Sequence, residues 1–213
     1  MIERSMLSTL DLNPIEVRVL GALIEKDMTT PEYYPLSLNA LVNACNQKTN
    51  RDPIVAYDEV TVREAIVGLR DRGLARPARE ESRVTKYEHS IGEAYNFGRG
   101  EMAVICVMLL RGPQTLNEIH DRTHRMHNFQ DVDSLETCIR KLGEREPPLT
   151  RKLAKQPGWK EVRYTHLFGD TEIPAALPEA AASQPEDDGR FDKLERELAQ
   201  LRREFDEFRA KFE

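Results

Sequence analysis

Apolar positions along this chain change period from segment to segment, and the changes mark its elements. Ile15, Val19, Leu20, Leu23 and Ile24 fall three and four apart, the spacing that lines them along one stripe of an α-helix. The residues before them predict where that helix starts. The Asn13 side chain can cap free backbone N–H groups, Pro14 takes the first helical position, where its missing N–H costs nothing, and Glu16 stands at capping-box spacing. Ser37 caps a second, short helix carrying Leu38, Leu41 and Val42. After an amide-rich loop from Cys45 to Pro53, a third helix starts near Asp58, buries Val62, Ile66 and Leu69, and ends at Gly73. Residues 74–79 and 83–89 then read as strands around Glu80-Glu81-Ser82.

The same order returns further along. Val84-Thr85-Lys86-Tyr87-Glu88-His89-Ser90-Ile91-Gly92 aligns without a gap on Glu161-Val162-Arg163-Tyr164-Thr165-His166-Leu167-Phe168-Gly169. Leu38-Asn39-Ala40-Leu41 lies over Leu116-Asn117-Glu118-Ile119, and Val62, Ile66 and Leu69 lie over Leu135, Ile139 and Leu142. Glu16, Val19, Leu20, Leu23 and Ile24 lie over Glu101, Val104, Ile105, Met108 and Leu109. Ordered recurrence of all these blocks predicts two copies of one unit, roughly residues 13–92 and 98–169. The second copy should have helices at about 100–111, 115–126 and 133–145, with strands at 149–155 and 160–167 around the turn Gln156-Pro157-Gly158-Trp159.

Three helices followed by a hairpin is the winged-helix order, with helices two and three as a helix-turn-helix and the hairpin as the wing. The run Thr30-Pro31-Glu32-Tyr33-Tyr34-Pro35-Leu36-Ser37-Leu38-Asn39-Ala40-Leu41-Val42-Asn43-Ala44-Cys45-Asn46-Gln47-Lys48-Thr49-Asn50-Arg51-Asp52-Pro53 resembles the signature of the YceH family of bacterial proteins, a likeness covering about residues 10–169. The resemblance implies a tandem winged-helix fold and supplies no catalytic residues.

Beyond Gly169 the pattern changes again. Residues 170–189 form a Pro/Ala/acidic stretch without apolar period, expected to be a disordered linker. Phe191, Leu194, Leu198, Leu201, Phe205, Phe208 and Phe212 then recur at spacings of three and four, the seam of a coiled coil. Its flanking pairs Arg190 with Glu195, Glu197 with Arg202 and Glu204 with Arg209 are opposite in sign, as a parallel homodimer needs, and the alternative is a helix that packs on its own domains or a partner. The expected architecture is therefore mainly α with small β-hairpins (α+β). It comprises two tandem winged-helix domains (1–97 and 98–169), a linker (170–189) and a C-terminal coiled-coil helix (190–213).

Charge and composition refine this picture. No run approaches the roughly 20 apolar residues that cross a bilayer, and the N-terminus lacks a signal-peptide pattern, so no membrane partner and a cytoplasmic location are expected. Cys45, Cys106 and Cys138 stand in no metal spacing and read as reduced core thiols. The net charge of −6 is uneven: residues 1–97 carry −3, 98–169 carry +3 and 170–213 carry −6. An acidic total therefore leaves the second copy open to nucleic acid.

Chemistry-bearing motifs are few. No phosphate loop, GxSxG elbow, HExxH or CxxC occurs, so no enzyme and no cofactor are expected. His120, His124 and His127 share one helical face with zinc-like spacing, yet no Cys or distant His completes a set, and no metal is assigned. His89 and His166, each two residues after a tyrosine, read as hairpin packing. The third helices are slightly acidic. Thr61, Glu64, Gly68 and Asp71 line the exposed face of the first, a poor base-reading surface. The second hairpin differs, with Arg151, Lys152, Lys155, Lys160 and Arg163 facing only Glu161, and Trp159 at its turn. Those six residues are the expected duplex-DNA contacts of a transcription-regulator type of protein, against a solvated edge strand that uses lysine to block aggregation. The amide loop Asn43, Asn46, Gln47, Asn50 and Arg51, with Tyr33 and Tyr34, reads first as turn building and second as base recognition. The competing functional expectation is a protein-interaction scaffold resembling chromosome-partition accessory proteins, with the Phe191 to Phe212 seam as its partner surface.

Overall fold

The computed structural model describes residues 11–78, 84–155 and 160–169. Trp159, the hairpin turns, the linker and the Phe191 to Phe212 seam lie outside the described residues. Among those described are seven α-helices and small antiparallel sheets, a mixed α and β architecture.

α1 runs Pro14–Thr29, and its capping box is formed as expected: Asn13 Oδ1 accepts from Glu16 N–H at 2.9 Å, and Glu16 Oε2 accepts from Asn13 N–H at 2.9 Å. After a short 3-10 turn at Pro31–Tyr33 come β1 (Leu36–Ser37), α2 (Leu38–Cys45) and α3 (Glu59–Asp71), the helices capped by Ser37 and Asp58. β2 (Ala75–Pro77) and β3 (Lys86–His89) pair antiparallel, and β1 joins the other side of β3, with Leu36 opposite Tyr87. A short α4 (Ile91–Tyr95) leads to α5 (Arg99–Arg111), α6 (Leu116–Thr123) and α7 (Val132–Gly143). β4 (Thr150–Lys152) and β5 (Tyr164–His166) close the second copy. Gln114 makes an antiparallel bridge to Tyr164, the counterpart of Leu36 on Tyr87.

Several bounds depart from the sequence reading. α6 stops at Thr123 instead of running to 126, because the Met126 and His127 N–H groups both turn back onto Thr123 O at 2.8 Å. The strands are shorter than expected, although Leu153 N–H still reaches Arg163 O at 2.8 Å beyond the end of β4. β1 and α4 were absent from the expected order.

One core serves both copies. α1 packs along α5, and the apolar residues of both helices belong to a single buried cluster. Every residue from Glu16 to Glu25 and from Met102 to Leu110 is buried, so each helix is enclosed all round rather than on one stripe. Gly21 permits the close approach. A Cβ there would lie 2.9 Å from Leu110 Cδ2, where only hydrogen now stands. The chain ends of the two copies also meet, Leu12 N–H donating to Phe168 O at 2.9 Å. Cys45 and Cys106 are buried and Cys138 half-buried, all as free thiols, with burial pushing Cys45 up to about 12 and Cys138 up to about 11.

Candidate nucleic-acid interface

The second hairpin is fixed from its root. Thr150 is buried and donates its hydroxyl to Ile139 O on α7 at 2.8 Å, while Leu149 N–H reaches Leu142 O at 3.0 Å. On β5, Tyr164 donates its hydroxyl to Glu136 at 2.9 Å, and burial together with that carboxylate pushes the phenol up to about 12. His166 is 3% exposed; its Nδ1 accepts from Phe168 N–H at 3.2 Å, and desolvation pulls the imidazole down to about 4. A neutral, buried histidine thus holds the strand from below.

From this anchored frame Arg151, Lys152, Lys155 and Lys160 emerge exposed, and none has an ion-pair partner among the described residues. Lys152 Nζ lies 5.8 Å above the Tyr164 ring, a contact that positions the ammonium without neutralising it. Arg163 departs from this group. It is half-buried, and its Nη1 donates to Pro113 O at 2.9 Å and to Glu118 Oε2 at 3.1 Å, tying the hairpin to the start of α6. Four of the five expected cations therefore face outward and the fifth is structural.

β4 and α7 flank an open groove with walls of unlike charge. The helix wall carries Asp133, Glu136 and Glu144 against Arg140, and the strand wall carries Arg151 and Lys152. Arg140 is already paired with Glu144 at 2.8 Å. On α3, Arg63 approaches Glu59 at 3.9 Å and Arg70 approaches Asp71 at 3.6 Å, and Val60 and Val67 stand exposed beside them.

The amide loop builds structure. Asn46 brackets Tyr57, its Nδ2 donating to Tyr57 O at 2.7 Å and its Oδ1 accepting from Tyr57 N–H at 2.8 Å. Arg51 is 6% exposed and meets both Glu25 oxygens, at 2.6 and 3.1 Å, while also donating to Ala44 O. Arg18 of α1 reaches Cys45 O and Pro53 O, and Asp52 N–H donates to Leu110 O of α5 at 2.9 Å. The loop thus fastens α1 and α5 from the side.

The histidines take separate places. His127 meets Phe129 edge-on at 4.6 Å, and His120 Nδ1 lies 3.8 Å from Asp121; no metal-holding cluster forms among the described residues. His89 Nε2 lies 3.3 Å from Asp27 of α1, and its backbone N–H donates to Tyr34 Oη at 2.6 Å. A paired device escaped the sequence reading. Glu16 accepts from Arg72 at 2.9 Å and Glu101 accepts from Arg145 at 2.8 Å, each joining a first-helix capping residue to the arginine just past the third helix. The signal was present, because Glu16 and Glu101 already superposed in the repeat.

Relatives agree over most of the chain. A protein from Koribacter versatilis named as a UPF0502 protein is 49% identical over 195 residues, 91% of each chain. One from Opitutus terrae is 52% identical over 90% of this chain and 83% of its own. Another from Solibacter usitatus is 48% identical over 95% of this chain and 98% of its own. With the model for "Protein of unknown function, DUF480" matching residues 12–159, the chain belongs to the DUF480 or UPF0502 family of bacterial proteins.

Proposed function

We propose that this protein binds duplex nucleic acid through its second hairpin, as a tandem winged-helix protein of the YceH type. The observation that carries the reading is the set Arg151, Lys152, Lys155 and Lys160, exposed and unpaired among the described residues on a rigidly rooted strand pair. Phosphates on a duplex reward unpaired cations by releasing condensed counterions, whereas paired ones must first give up their partner. Arg63, Arg70 and Arg140 of the third helices are already matched by carboxylates, and α7 adds only Lys141 as an exposed cation without an ion pair among the described residues, so docking is hairpin-first. Trp159, from the turn, would pack on sugar or base, and the Phe191 to Phe212 seam would join two copies in the cytoplasm. The binding is non-enzymatic and reads backbone more than bases.

Fluorescence anisotropy of a labelled duplex at several salt concentrations tests this. Lys155→Ala with Lys160→Ala should weaken binding and lower the slope of log K against log salt by about 2, roughly 0.9 for each phosphate no longer neutralised. Absence of binding at low salt, or an unchanged slope, rejects the proposal.

The scaffold reading keeps one specific support: Val60 and Val67, 62% and 41% exposed on the outward face of α3, where a base-reading helix would carry polar groups. Under that reading a protein partner is retained after nuclease treatment and lost on Val67→Glu.

A further inference from the structure

Where the two copies meet, the ends of α1 and α5 and the turn after α6 enclose a second collection of positive charge. We propose that this cleft is a binding site for one phosphate-sized oxyanion, held by Arg111, Arg122 and Arg125. Glu25, Thr29 and Asn50 from the first copy complete its walls, so the anion would touch both halves of the repeat.

Size and charge select the ligand class. The cavity measures about 40 Å³. One water needs roughly 10–15 Å³, so the space takes a few waters or one small tetrahedral anion and excludes a base or a sugar. Among the described residues Glu25 is the one carboxylate in the wall, and it is already held by Arg51 at 2.6 Å with Lys26 at 3.7 Å. Arg122 donates to Gln114 at 2.6 Å and approaches Glu118 at 3.4 Å, a carboxylate it shares with Arg163. Arg111 gives one N–H to Asn50 Oδ1, and Arg125 is exposed with no partner among the described residues. Burial and the neighbouring guanidiniums of Arg122 and Arg51 hold Arg111 below its ordinary value, with Glu25 and Asp52 opposing more weakly. Like charges gathered in a partly desolvated cleft repel until a counter-charge joins them. A tetrahedral oxyanion supplies that charge and several acceptor atoms, and the planar fork of arginine matches its edges in a way a lysine does not.

The same chemical group is offered by free phosphate and by a nucleic-acid backbone; the cavity favours the free ion, and the site stands whether or not the hairpin binds a duplex. Calorimetric titration of the full chain with inorganic phosphate, at ionic strength held constant with chloride, is the direct test. Saturable binding is expected, weakened at least tenfold by Arg125→Ala, a surface change that leaves the fold intact, and by Arg111→Lys, which keeps the charge and loses the fork. Lys155→Ala with Lys160→Ala should leave phosphate affinity unchanged. No saturable heat above the chloride control, or wild-type affinity in Arg125→Ala, overturns the site. A duplex affinity that falls in Arg125→Ala while phosphate gives no saturable heat also overturns it, by giving the cleft to the nucleic-acid backbone.

Discussion

Arg76 and Arg151 occupy the same place in the two copies: Ala75 pairs with His89 and Thr150 with His166, so each arginine is the second residue of its strand. Arg76 is held by Glu88 at 2.6 Å across the ladder and by Glu93 of α4 at 2.7 Å. Those carboxylates raise its affinity for the proton and cancel its field. Opposite Arg151 stands Thr165, and its charge stays open to solvent. The histidines one step below diverge in the reverse sense, His89 reaching Asp27 while His166 is sealed under the second hairpin. Gly92 and Gly169, which superpose, differ as well. A Cβ on Gly92 would meet only the flexible end of Met102 at 2.9 Å, whereas on Gly169 it would strike the backbone oxygen of Leu12. The two copies thus share one scaffold, with its Glu16 and Glu101 tethers, but Arg76 of the first hairpin is neutralised while Arg151 of the second stays exposed.

The loop from Cys45 to Pro53 belongs to a longer connection than the one between α6 and α7 in the second copy, and removing its anchor should give the largest effect. Arg51→Ala leaves Glu25 buried with only Lys26 at 3.7 Å and frees the Ala44 carbonyl. Breaking a buried pair from one side typically costs about 3–5 kcal/mol. Urea unfolding should show that loss in the midpoint, and a loss below about 1 kcal/mol would mean that the loop does not fasten α1 to α5.

His166 gives the next effect, as a pH dependence. Its imidazole titrates near 6.5 in the unfolded chain and at about 4 when folded. Between those values the unfolded state holds more protons, so stability is fully present above pH 6.5 and is lost as pH falls toward 4. The whole difference amounts to about 3 kcal/mol. Urea midpoints measured from pH 7 to pH 4 should fall accordingly, and His166→Gln should flatten the fall across that window even if it lowers the plateau. A slope unchanged by the substitution would place the titrating group elsewhere.

Local signals were legible because they depend on neighbours in sequence. Asn13 and Ser37 were readable as caps, and Asp58 as the start of the third helix, since each acts on an N–H within three residues, and each does so. The superposition of Tyr87 on Tyr164 carried over to the bridges that Leu36 and Gln114 make to them. What escaped depends on distance. Apolar spacing says that α1 and α5 are buried, and only packing says that they are buried against each other. A charge count placed Arg163 with the exposed cations because Glu118, 45 positions away, does not show itself in a local window. α4 escaped because five residues are too short to display a helical period.

The smallest effects return to the two arginines and sharpen their contrast. Arg76→Ala removes a partly exposed ion-pair cluster and should cost up to about 1 kcal/mol of stability, the range for such surface pairs. Arg151→Ala removes a charge without a partner among the described residues and should leave stability within about 0.5 kcal/mol of wild type. Duplex binding reverses the order. Loss of Arg151 should lower the slope of log K against log salt by about 1, and loss of Arg76 should leave it unchanged. Paired measurements of unfolding and anisotropy on the two variants therefore separate a cation that holds the fold from one that is free to act outside it. Equal slopes would show that neutralising the first hairpin, and sparing the second, has no bearing on what the protein binds.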